Sequence, residues 1–87
     1  MKGAMQLMME NWRSTPKRVR EHLTPVKLRI YAMGFVSEAE PHVFFETDGS
    51  LKRPALMVAL ARECPANTAE EFDEAIDELA DFLGVKA

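Results

Sequence analysis

Val26-Lys27-Leu28-Arg29-Ile30-Tyr31-Ala32, followed after a polar turn by His42-Val43-Phe44-Phe45-Glu46-Thr47, is the stretch on which the fold of this chain turns. In the first segment Val26, Leu28, Ile30 and Ala32 alternate with Lys27, Arg29 and Tyr31, the period-two pattern of a strand with one buried and one partly basic, wet face. Gly34 stands where that strand would end or bulge. Beyond the turn Ser37 to Pro41, the second segment is rich in aromatic and β-branched residues and reads as a second strand. The two lie close enough in sequence to pair as an antiparallel hairpin.

Downstream, Asp48-Gly49 is a strong tight-turn signal. Residues 54–64 after it either return as a third strand or form a helix. Pro54 has no N–H to give a ladder, and Ala, Leu and Met are better helix than strand formers, so a helix is expected. The last helix carries the clearest signals. Asn67 or Thr68 caps it, Glu70 or Glu71 occupies the matching capping-box position, and Gly84 stands at its C-terminal stop. Phe72, Ile76, Leu79 and Leu83 share a stripe about 60° wide at 100° per residue, widened by Ala75, Ala80 and Phe82.

Upstream, Met5, Met8, Met9 and Trp12 recur at helical spacing within residues 4–13, and Ser14-Thr15-Pro16 opens a short helix through Leu23 that Thr24-Pro25 closes. The expected fold class is therefore α+β: helix, short helix, β-hairpin, helix, acidic helix, with the helices packed on one face of the antiparallel hairpin. Its sheet would gain a third strand only if residues 54–64 turned back as one. Val26, Leu28, Ile30, Phe44, Leu56, Leu60, Phe72, Ile76, Leu79 and Leu83 are the expected core.

A chain of 87 residues, 47% apolar and 29% charged, has the composition of one small globular domain with a thin stability margin. Its lone cysteine, Cys64, excludes an internal disulfide framework, and a reducing cytoplasm fits best. The stretch from Met5 to Asn11 is too short and interrupted for the apolar core of a signal peptide, and no run approaches the roughly 20 residues of a membrane span. A soluble, untargeted, cytoplasmic protein is expected.

Net charge is −3, but it is divided unevenly. Residues 1–36 hold seven basic groups against two acidic ones, a balance of +5, and residues 37–87 hold four against twelve, a balance of −8. The acidic excess gathers on the outer face of the last helix as Glu70, Glu71, Asp73, Glu74, Asp77, Glu78 and Asp81, with no Lys or Arg between positions 63 and 85. Glu70/Glu74, Asp73/Asp77, Glu74/Glu78 and Asp77/Asp81 are like-charge pairs at i,i+4, costing on the order of 1–2 kcal/mol together in an isolated helix. Asp81 also opposes the helix dipole.

A solvated, solubilising face explains such a stripe most simply. The absence of interleaved lysines also suits docking on a partner with a basic surface, including one that handles nucleic acid, or contact with the chain's own basic half. The leading expectation is thus a non-enzymatic interaction module, adaptor or inhibitor in type. A nucleic-acid-binding regulator using Arg13, Lys17, Arg18, Arg20, Lys27 and Arg29, with Trp12 and Tyr31 at the edges of that segment, is the alternative. A self-assembling structural subunit is the third, with Met5, Met8, Met9 and Trp12 as a homodimer seam.

No catalytic, cofactor or metal signature stands out. Ser14, Ser37 and Ser50 lack nucleophile-elbow context, and the glycines are too scattered for a phosphate loop. His22, His42 and Cys64 match no metal-ligand spacing, and Cys64 reads as a packing residue.

Overall fold

The computed structural model describes residues 20–87, and within them the expected α+β architecture is overturned. Four helices pack together, α1 (Pro25–Glu38), α2 (Pro41–Phe44), α3 (Arg53–Glu63) and α4 (Ala69–Leu83), and no sheet is present among the described residues. The expected helix over 4–13 and most of that over 16–23, with Met5, Met8, Met9, Trp12, Arg13, Lys17 and Arg18, lie outside the described residues. Residues 20–23 are not helical.

The first expected strand is the N-terminal half of α1. Thr24-Pro25 does not close a helix but opens this one: the Thr24 side chain accepts from the Lys27 N–H at 3.3 Å, and Pro25 fills the first turn, where its missing N–H costs nothing. The alternation that suggested a strand is split by the helical period. Leu28 and Ala32 turn inward with Tyr31 and Met33, Ile30 is half-buried, and Val26, an expected core residue, is 57% exposed. Seven residues of alternation fit both periods, and the surrounding Leu, Met, Ala, Lys and Arg favour the helix.

The second expected strand is also absent. Pro41 starts the single turn α2, whose Phe44 is buried and stacks on Phe35 with ring centroids 6.3 Å apart. Only Phe45 then pairs, in an isolated antiparallel bridge with Leu51 across the Asp48-Gly49 turn. That turn is as expected: Gly49 has φ +90°, and the Asp48 carboxylate accepts from the Ser50 N–H at 2.9 Å and from its hydroxyl at 2.6 Å.

The helix expected over 54–64 is α3, which buries Leu56 and Leu60. The last helix is α4, capped by Thr68 with Glu71 in a complete capping box and stopped by Gly84 at φ +72°, where the Val85 N–H reaches back to the Ala80 carbonyl. Phe72, Ala75, Ile76, Leu79 and Ala80 form its buried stripe, with Leu83 half-buried. α1, α3 and α4 pack mutually around these residues. No helix among the described residues is long and apolar enough to cross a membrane.

Cys64, at the end of α3, is fully buried, and burial pushes its thiol up to about 11. The thiolate fraction at neutral pH should fall about 100-fold relative to an ordinary thiol. Labelling by an aromatic disulfide reagent at pH 7.5 is therefore expected to be at least that much slower in the native protein than in urea. Equal rates in the two states would show that Cys64 is open to solvent.

Candidate functional site

The outer face of α4 is the most heavily charged surface in the described chain, and its seven carboxylates fall into three groups. On the flank nearest α3, Asp73 and Asp77 share one guanidinium. Arg53 Nη1 donates to Asp73 Oδ1 at 2.9 Å and to the Asp73 carbonyl at 3.3 Å, while Nη2 donates to Asp77 Oδ1. The Asp77 bond, with help from Asp73, holds the guanidinium further above its ordinary range against the opposing cost of desolvation. One cation thus relieves the repulsion of the Asp73/Asp77 pair. All three side chains are substantially exposed, so the net contribution is about 1 kcal/mol or less.

On the opposite flank Glu71 serves the capping box. Its Oε1 accepts from the Thr68 N–H at 2.9 Å and the Thr68 hydroxyl at 3.2 Å, and its Oε2 lies 2.6 Å from His22 Nε2. The Thr68 N–H, and then His22, hold the Glu71 carboxyl below its ordinary value, against a smaller opposing effect of desolvation. Beside this bond, Leu23 gives its N–H to Asn67 Oδ1 and receives Asn67 Nδ2 on its carbonyl, each at 2.9 Å. The segment entering α1 is thereby fastened to the N-terminus of α4.

Because the folded-state value of Glu71 is depressed, its stabilisation is present above the unfolded carboxylate pKa and is lost as pH falls through the folded value. Glu71→Gln, which keeps an acceptor for Thr68, is expected to narrow the difference in urea midpoint between pH 7 and pH 3. An unaltered difference would exclude Glu71 as a contributor to acid sensitivity.

Between the flanks, Glu70, Glu74, Glu78 and Asp81 are exposed along about 80° of the helix surface and make no ion pair among the described residues. Phe82 follows at the edge, 44% exposed, with the Arg29 guanidinium 5.9 Å from its ring centroid. Of the six basic residues proposed for nucleic acid, Arg20 and Lys27 are exposed, and Arg29 is half-buried and turned onto Phe82.

His22, His42 and Cys64 are not gathered: His22 meets Glu71, His42 lies 3.9 Å from Glu40, and Cys64 is in the core. An open cleft between the Asp48–Ser50 turn and Gly84–Lys86 contains a carboxylate, but Asp48 is already held by Ser50.

The roles of Arg53 and His22 were missed from the sequence. Neither lies within helical reach of the carboxylates it meets, and the separations are 20, 24 and 49 residues. Compared with models of protein families, with curated proteins and with solved structures, the chain matches none.

Proposed function

We propose that this protein is a non-enzymatic interaction module, of adaptor or inhibitor type and cytoplasmic, that presents the acidic face of α4 to a basic surface on a partner. One observation carries this reading. Arg53 and His22 bond the carboxylates on the flanks of the face, yet Glu70, Glu74, Glu78 and Asp81 stay exposed and without an ion pair among the described residues. Their mutual repulsion costs local stability, and a basic partner would offset it. A protein that handles nucleic acid fits, because carboxylates at this spacing would compete with phosphates for its lysines and arginines.

The test compares immobilised wild-type protein with the double reversal E74K/D81K in lysate of the host, with nuclease present and salt raised stepwise. Basic proteins held by the wild type, released by salt and absent from the variant support the reading. Identical retention by both, or recovery of nucleic acid as the bound species, sinks it.

A further inference from the structure

Phe82, in the last turn of α4, is the aromatic member of the exposed large apolar side chains among the described residues. Around the helix it lies about 40° from Glu78 and about 80° from Glu74, and Asp81 precedes it in sequence, so its ring stands at the border between the buried stripe and the unpaired carboxylates. Glu78 and Phe82 are also one helical turn apart. Helical side chains lean back toward the N-terminus, which carries the ring over the turn that holds Glu78. A half-exposed phenyl at the end of a core stripe is ordinary by itself. What sets this one apart is the group it already holds.

The Arg29 guanidinium lies 5.9 Å from the ring centroid, within reach of a cation–π contact. Arg29 makes no ion pair among the described residues, and its Nε is buried without a hydrogen-bond partner. The ring is therefore what holds this guanidinium. Arg29 comes from α1, which packs on the buried stripe of α4, so it approaches from the core side. The part of the ring left to water is the part that faces the carboxylates. A guanidinium laid there would meet a π face and a carboxylate at once. Its flat, weakly hydrated plane can stack on the ring while its N–H groups turn to Glu78, whereas the compact, strongly hydrated ammonium of lysine gains less from the ring. Glu78 and Asp81 offset the repulsion from Arg29.

We propose that Phe82 is the arginine-selective anchor of the acidic face: a basic partner docks with one arginine stacked on the outward side of the ring and bonded to Glu78, while Glu70, Glu74 and Asp81 attract its other cations. The inference rests on the reading that this face binds a basic partner, and it narrows that partner to one whose surface presents arginine rather than lysine. Charge alone steers the encounter and responds weakly to the shape of the cation. Selectivity comes from the ring, and aromatic and arginine side chains are the pair in which binding energy most often concentrates.

Fluorescence anisotropy of labelled oligoarginine and oligolysine peptides of equal length, titrated with the full chain at about 20 mM salt, where exposed charges are little screened, tests this. The wild type should prefer oligoarginine. Phe82→Leu keeps an apolar side chain but no π face, and it should bind oligoarginine about fivefold more weakly with oligolysine unchanged. Phe82→Tyr, which keeps the ring, should retain the preference, and E74K/D81K should lose both peptides. Oligoarginine affinity equal in the wild type and Phe82→Leu, or weakened as much by Phe82→Tyr as by Phe82→Leu, overturns the anchor. If E74K/D81K still loses both peptides in that case, docking on the acidic face survives without it. Peptides bound by E74K/D81K as tightly as by the wild type, or bound by neither, remove the docking face and the anchor together.

Discussion

Asn67→Ala is expected to destabilise the protein by about 3 kcal/mol, enough to lower the melting temperature by roughly 10–25 °C in a domain of this size. Asn67 is the buried polar residue of the described core, and both ends of its amide bond the Leu23 backbone at 2.9 Å. Removing the amide leaves an N–H and a carbonyl buried beside the Leu23 side chain with no partner, and each such group costs about 1–3 kcal/mol. Asn67→Asp separates this account from simple loss of packing. It keeps the acceptor for the Leu23 N–H but sets a second oxygen against the Leu23 carbonyl, so the ionised form is disfavoured and its folded-state pKa should rise. The variant should then regain stability as pH falls through that value, the opposite of Glu71. Thermal melts of the three proteins at pH 7 and pH 4 decide the matter; a shift below 3 °C for Asn67→Ala would show the clamp to be unimportant.

E74K/D81K is expected to lose at least 100-fold in partner affinity while gaining about 1–2 kcal/mol in stability. The two reversals convert Glu70/Glu74, Glu74/Glu78 and Asp77/Asp81 from repulsive to attractive pairs, and a lysine at 81 suits the C-terminal end of the helix dipole. Asp73 and Asp77 are left to Arg53, so the contact between α3 and α4 survives. A surface that costs stability and is kept for binding should show this pairing of effects. Urea denaturation measures one half and the lysate comparison the other. A variant that binds normally, or one that unfolds more easily than the wild type, contradicts the assignment.

Nearly all of α4 was legible in the sequence, which left open only whether Asn67 or Thr68 caps it. Thr68 and Glu71 close its capping box, Gly84 takes the left-handed conformation at its end, and the Phe72, Ile76, Leu79 stripe is buried. The Asp48-Gly49 turn was legible too, while for residues 54–64 the sequence only favoured a helix over a third strand, and α3 is that helix. Each of these rests on signals within a few residues of one another, where local chemistry has a single low-energy outcome. The acidic face was legible for the same reason, since helical periodicity alone sorts α4 into an apolar and a charged side.

Only the tertiary structure decided between strand and helix for residues 26–32. Their short alternation satisfies either period, and the helix prevails because it turns Leu28, Tyr31, Ala32 and Met33 together into the core, against α3 and α4. The same holds for the charges. That Arg53 meets Asp73 and Asp77, that Arg29 lies on Phe82, and that Asn67 fastens Leu23 depend on which helix faces which. These contacts span 20 to 53 residues of chain, a distance at which spacing carries no geometric information and only the packing of the helices brings the groups within bonding range.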